Sequence, residues 1–549
     1  MTMRLYLLLI VFAATFLVYA PTIGYGLVDY DDVIYVADNN RLKDGLTRES
    51  VAWALTERGY ASNWHPLAWM SLMADVDAVR GLGLVARDTP WGSWSVNTGK
   101  SDGQLVALAH VMHFHNVLVH AANAALLFLL MTMVVGRRLS WVWIAGLTFL
   151  WALHPLRSEV VCWVSERKEL SSVFFMLLSL VFWIREGKWR VVSFVCAVLA
   201  MLAKPVAVTL PVVLFAWDWT FRGKCRWIQI VPFAAFAAMT CLYTMQSQVT
   251  AMGSASGLPV ASRLMAVFGS PLVYMWQTVW PVGLSIIYEG ANRINVPMLA
   301  GGIALTLAVI GVGVAWLVRR RGRWLGLAAF SVAWCYVGLL PMIGIVKVGC
   351  QEHADRYTYW IGCGVCVVAA IAASWLVPAL RRQVVDFARR QDQADDAVAQ
   401  GEWHDLRRML LVALAGVIVC LATLTCRQNG CWRDTISLYR NAVPKSWSSE
   451  IAIILAVQLH SSGREGAAEG EYWLRQCMVN HRCSLAALNL ATYLALHRVD
   501  TTIQKFGVEL YAEAESLIAE ARAMGLDEKH EKEAERVMTQ IKRVREEAR

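Results

Sequence analysis

Adjacent carboxylates at Asp31 and Asp32, in the run Asp29-Tyr30-Asp31-Asp32, begin the polar stretch after the first apolar segment. Such a pair suits a general base or a divalent cation, because each charge raises the proton affinity of the other. A solvated acidic turn is the plain alternative. The cationic candidates are Arg157 with Glu159, then Ser165-Glu166-Arg167-Lys168-Glu169, Lys204-Pro205, and Gln351-Glu352-His353-Ala354-Asp355-Arg356-Tyr357. Guanidinium grips phosphate through paired hydrogen bonds and ammonium adds a point charge. Ion pairing with Glu166 and Glu169 is the competing use of the same groups. Histidines complete the set: Asn63-Trp64-His65-Pro66-Leu67 is echoed by Leu153-His154-Pro155-Leu156. His113, Asn116, His120 and Asn123 fall three, four and three residues apart, so a helix carries them on one face. That stripe either bonds neighbouring helices or lines a wet cavity, since bare polar groups in a membrane are costly.

The elements that must position these groups are membrane helices. Of 549 residues, 57% are hydrophobic and 17% charged, a balance too apolar for an ordinary soluble domain and incompatible with disorder. The net charge of +9 is dispersed, so no nucleic-acid partner is expected. Apolar runs cover 5–20, 106–135, 139–153, 170–184, 191–203, 206–219, 228–245, 297–318, 324–341, 357–378 and 409–425, with a further one at 264–284. The first run could suit a signal peptide, but Pro21 argues against cleavage after Ala20. With the amino terminus inside, the clusters Arg137-Arg138, 185–190, 222–226, 319–323 and 381–408 all become cytoplasmic, provided 264–284 is re-entrant or interfacial. About eleven crossings result. The first exported loop is then 21–105, and 154–169, the Lys204 turn, 246–296, 342–356 and everything after about 426 lie on the same side. Carboxylates, cations and histidines from four loops thus converge on one bilayer face.

The chain divides into a membrane part, 1–425, and an amphipathic helical part, 426–549. Ala452, Leu455, Ala456 and Leu459 recur as Ala487, Leu490, Ala491 and Leu494, an offset of 35 residues close to the tetratricopeptide period. Cys363 and Cys366 form a Cys-x-x-Cys inside an apolar run, which reads as structural. Disulfides among Cys426, Cys431, Cys477 and Cys483 fit an exported tail, with the pairing open.

A surface site rich in cations, with carboxylates beside them, suits transfer from an anionic lipid phosphate. Phosphate leaves readily, so chemistry needs mainly a base for the acceptor hydroxyl. These motifs resemble the GT-C membrane glycosyltransferases, and among them the TMTC-type protein O-mannosyltransferases and bacterial relatives with tetratricopeptide tails. The likeness is carried by Tyr30-Asp31-Asp32, Asn63-Trp64-His65-Pro66-Leu67, the His113/Asn116/His120/Asn123 stripe, His154-Pro155-Leu156 through Lys168, Ala203-Lys204-Pro205, and Ala354-Asp355-Arg356-Tyr357. The stretch from Val76 to Lys100 departs from the family's shorter first loop.

The resemblance implies an all-α polytopic fold with an exported tetratricopeptide-like tail, and a polyprenyl-phosphate monosaccharide donor attacked with inversion. Asp31 or Asp32 is then the base. Arg167, Lys168, Lys204 and Arg356 are candidate phosphate ligands, and His65, His113, Asn116, His154, Glu159, Glu166, Glu352, His353 and Asp355 candidate cavity residues. The acceptor expected is an exported protein hydroxyl presented by the repeats. No metal ligand set is expected, although the Asp-Asp pair, with Glu352 and Asp355, leaves room for a divalent cation. The absence of any Asn-x-Ser/Thr sequon favours a bacterial inner membrane. A glycan ligase using a diphosphate carrier and a non-enzymatic scaffold are the other readings; the scaffold has no need for Asp31, Asp32, Arg167 and Arg356 to share a cavity.

Overall fold

A computed structural model describes residues 2–85, 91, 94–95, 100–101, 103–223, 226–247, 260–288, 295–319, 322–343, 353–392, 396–446, 449–460, 464–481, 483–496 and 507–547. Glu352, the arginines at 320 and 321, and most of the extra stretch between 86 and 99 lie outside these residues. The protein is an all-α polytopic membrane protein; among the described residues the one strand pairing is a two-residue antiparallel bridge, Trp94 to Ser101 and Ser95 to Lys100.

Among the described residues, six helices are long and apolar enough to span: Met3–Gly24, Gln104–Val135, Trp227–Ser247, Val296–Trp316, Asp355–Arg389 and Gln400–Gly430. The other apolar runs form shorter pieces. Trp141–Ala152 has 12 residues and Trp189–Ala203 has 15, which at about 1.5 Å per residue fall short of a ~30 Å hydrocarbon core. Proline accounts for much of this shortening. A residue before proline is pushed out of helical geometry, and Pro155 and Pro205 follow His154 (φ −85°, ψ 136°) and Lys204 (φ −156°, ψ 136°). His65, before Pro66, is likewise non-helical and opens the helix Pro66–Gly81. The helices therefore stop just where sequence places a histidine or lysine, and a short 3₁₀ turn follows at Pro155–Arg157 and at Pro205–Thr209. Two further 3₁₀ turns, Val164–Glu166 and Asp355–Tyr357, carry Glu166, Asp355 and Arg356, while Glu159 lies in the helix Ser158–Cys162 and Arg167, Lys168 and Glu169 open the helix Arg167–Arg185.

The chain forms two compact units. The first comprises Met1–Ser93, Gly103–Ile286 and Arg293–Arg433; the second comprises Trp94–Asp102, Ile287–Asn292 and Asp434–Arg549. The first is built around a core that includes Val11, Phe128, Leu177, Trp183, Leu214, Trp334 and Trp360. Backbones approach closely where small residues allow it: a side chain at Gly302 would collide with the carbonyl oxygen of Phe268 on the helix Val260–Val279. In the second unit the helices Ser449–His460 and Ser484–Leu496 bury the recurring quartets, Ala452-Leu455-Ala456-Leu459 and Ala487-Leu490-Ala491-Leu494.

Candidate active site

The two aspartates have different surroundings. Asp32 is fully buried and its carboxylate is saturated: Oδ1 accepts from the Ser165 amide (2.9 Å) and hydroxyl (2.5 Å), and Oδ2 from the Val28 amide (3.2 Å). Burial nevertheless pushes its carboxyl up to about 6, against the lowering effect of those hydrogen bonds. Asp31 points outward, its side chain 38% exposed, with Oδ2 3.5 Å from Lys168 Nζ. One carboxylate ties the first loop to the Val164–Glu166 turn; its neighbour is accessible for chemistry.

From Asp31 an ion-pair chain runs inward. Lys168 lies 3.3 Å from Glu166 Oε1, and Lys204 bridges Glu166 and Glu169 at 2.9 Å each. Arg356 reaches Glu159 Oε1 at 2.5 Å and Glu166 at 3.8 Å, while its backbone amide donates to Glu159 Oε2 at 3.0 Å. Burial raises the Glu166 carboxyl, but Lys204, Lys168 and Arg356 outweigh it and hold the group at about 2. The charges are layered. The carboxylates of Glu159, Glu166 and Glu169 are 0–3% exposed, whereas Lys168, Lys204 and Arg356 keep 8–13% of their side chains accessible. Aromatic faces fix the spacing of the cations, for Lys168 and Arg356 each sit 5.4 Å from the Trp163 ring and Lys168 lies 4.7 Å from Tyr35. His65 completes this region: burial, then the Lys168 and Lys204 charges, push its imidazole well below the usual range, and its Nδ1 has no hydrogen-bond partner among the described residues.

Other expected residues are used differently. Arg167 turns away from Lys168 and is fully enclosed, bonding Asp75 (3.0 Å), Asn116 Oδ1 (2.5 Å), the Ser71 hydroxyl (3.0 Å) and the Met112 carbonyl (2.7 Å). Asp75 also holds His115 Nδ1 at 2.8 Å. Asp75, His115 and Trp163 were not among the expected residues; Asp75, one of two aspartates in the mostly apolar stretch Pro66–Gly81, carried the available signal for the first. The histidine–asparagine stripe joins segments together. Asn116 donates to the Val161 and Trp163 carbonyls, His120 meets Tyr359 and the Ala152 carbonyl, Asn123 donates to Leu170 and Tyr359, and His113 contacts the Gly26 carbonyl. Asn116 thus spends its polarity on protein groups, as does Nε2 of His113, whose Nδ1 has no hydrogen-bond partner among the described residues. His353 and Asp355 are buried near Tyr274 and Gln277. Cys363 and Cys366 donate to the carbonyls of Tyr359 and Leu147. Among the described residues, no group of three His, Cys, Asp or Glu side chains has metal-holding geometry.

A largely apolar cavity of about 570 Å³ is lined by Trp151, Tyr274, Cys335 and Val365 among others, with His154, Arg157 and Thr358 among its polar groups. His154 Nε2 contacts the Thr278 carbonyl at 3.1 Å, and Arg157 donates to the carbonyl and hydroxyl of Thr358 at 2.8 and 2.6 Å. Thr358 directly follows the Asp355–Tyr357 turn that carries Arg356.

Comparison with known proteins finds partial relatives. A 130-residue stretch, 22% of this chain, is 32% identical to the human protein O-mannosyl-transferase TMTC2 and covers 15% of it. A 296-residue stretch, 49% of this chain, is 25% identical to the Drosophila melanogaster protein O-mannosyl-transferase Tmtc2 and covers 28% of it. Over these stretches the chain is similar to TMTC-type proteins. It spans less than a third of the length of these curated relatives. No protein-family model matches the chain.

Proposed function

We propose that this protein transfers one mannose-like sugar from a polyprenyl-phosphate carrier to a hydroxyl of an exported protein, with inversion at the anomeric carbon. The observation that supports it most is the layered charge cluster: three cations from separate stretches of chain, each somewhat more accessible than the buried carboxylates it pairs with, beside the accessible Asp31. Lys168, Lys204 and Arg356 would hold the donor phosphate, and the apolar cavity suits its isoprenoid chain. Asp31 takes the acceptor proton as the acceptor oxygen bonds the anomeric carbon. The bond from that carbon to phosphate oxygen breaks, and its electron pair leaves with the carrier phosphate, whose growing charge the cations offset. We place the site on the exported face of a bacterial inner membrane, with a cytoplasmic amino terminus, and assign recruitment of the acceptor to the tetratricopeptide-like repeats.

One observation favours a second reading. Each cation already has a carboxylate partner, so the same pairs would serve a scaffold that needs only to tie its loops together. Purified protein is therefore offered synthetic polyprenyl-phosphate mannose with exported-protein extract. Transfer should fall by about 10² to 10⁴ in Asp31→Asn with folding intact, whereas Asp32→Asn should disturb unfolding as well. An unchanged transfer rate in Asp31→Asn rejects Asp31 as the base, and failure of the wild type to consume any monosaccharide carrier favours the scaffold or the glycan ligase.

A further inference from the structure

The second unit contains two cysteines, Cys477 and Cys483, and glycosyl transfer uses neither. Cys477 lies in the last turns of the helix Arg464–His481, and Cys483 caps the next helix, its carbonyl accepting from Ala487 at 3.2 Å. Their thiols hydrogen-bond to each other. Cys477 is 2% exposed, on a helix whose Leu474 is fully buried and next to a helix whose Ala486, Ala487 and Leu490 are too, while Cys483 is half-buried. Two sulfurs held together at a helix–helix junction, one enclosed and one reachable, have the arrangement for stepwise oxidation.

We infer that Cys477 and Cys483 form a disulfide that clamps the junction between the helices Arg464–His481 and Ser484–Leu496. The oxidant is a small or protein disulfide. The Cys483 thiolate attacks one of its sulfurs, breaking that S–S bond and releasing a thiolate. Cys477 then gives up its proton and attacks the Cys483 sulfur, releasing the second thiolate. The two protein thiols lose two electrons and two protons, and one disulfide is reduced to two thiols. The pair belongs to the second unit's own packing, so the inference holds whatever reaction the membrane unit performs.

The test uses full-length protein purified in detergent, reduced, freed of reductant and exposed to oxidised glutathione, then alkylated and digested with trypsin. Trypsin cuts after Arg475 and Arg482, so the two cysteines fall in separate peptides that only the disulfide keeps together. The expected result is that linked peptide pair, released by reductant, with the oxidised wild type unfolding at higher temperature than the reduced wild type. Cys477→Ser should leave Cys483 as a glutathione adduct. A wild type that carries glutathione on Cys483 while Cys477 remains a thiol, or that has both thiols alkylated after oxidation, overturns the inference.

Discussion

Replacing Glu166 with glutamine removes one negative charge from the point where three cations meet. Lys204 lies 2.9 Å away, Lys168 3.3 Å and Arg356 3.8 Å. These groups hold the Glu166 carboxyl at about 2 against an ordinary 4.5, in spite of burial. At about 1.4 kcal/mol per pH unit, that difference is worth about 3 kcal/mol of folding free energy. Breaking a buried pair by removing one partner gives the same order, about 3–5 kcal/mol. The lower value is expected, because Lys204 keeps Glu169, Arg356 keeps Glu159 and Lys168 keeps Asp31. The folded-state value is depressed, so this stability is fully present above about 4.5 and is lost as pH falls toward about 2. Unfolding of purified Glu166→Gln, titrated in mixed micelles at neutral and acid pH, should show the loss at pH 7 and a shallower acid limb. Adding Lys204→Met should deepen the loss, since Glu169 is then left buried without the ammonium it shares. A variant within about 0.5 kcal/mol of wild type at pH 7, the spread of an ordinary surface substitution, refutes the account of Glu166 as the hub.

The Asp75–Arg167 pair should behave as structure. Asp75→Asn and Arg167→Met are each expected to destabilise by about 3–5 kcal/mol, and the double variant by less than the sum, which a double-mutant cycle measures. Close helix packing at Gly302 makes Gly302→Ala costly by about 1–3 kcal/mol because the Phe268 backbone cannot yield. Gly311→Ala, on the same helix with open space around it, should be neutral or slightly stabilising, and equal behaviour of the two would remove the packing argument.

Much of this site was legible because its chemistry is concentrated at helix breaks. Composition and hydropathy declare the all-α membrane class, and X-Pro dipeptides mark where His65, His154 and Lys204 leave helical geometry. Loop positions also brought Asp31, Glu166, Lys168, Lys204 and Arg356 into one group. The fate of Arg167 was not legible. It and Lys168 are adjacent in a first helical turn, about 100° apart around the axis, and the partner that captures Arg167 lies 92 residues earlier, at Asp75. The stripe from His113 to Asn123 shows the same limit: spacing fixes a shared face, but the Ala152, Val161 and Leu170 carbonyls that engage it leave no trace in side-chain identity.

The layered charges carry a consequence for donor binding. Around the site stand three cations and four carboxylates, counting Asp31 with Glu159, Glu166 and Glu169. An arriving phosphodiester anion would be opposed unless one carboxylate gave up its charge. Glu169 is the one suited to do so. Burial raises its carboxyl, Lys204 compensates only in part, and that ammonium is shared with Glu166, which has two further cations of its own. A phosphate that draws on Lys204 therefore pushes Glu169 further toward its protonated form, and under the proposed reading donor binding takes up a proton. Affinity for a sugar-phosphate diester, which has no second ionisation of its own, should weaken as pH rises, by at most about tenfold per pH unit for one coupled proton. Calorimetry in buffers of different ionisation enthalpy should register the uptake, and Glu169→Gln should bind with a flat pH profile. Equal slopes in wild type and Glu169→Gln would mean that the cations accept the phosphate without help from their buried carboxylates.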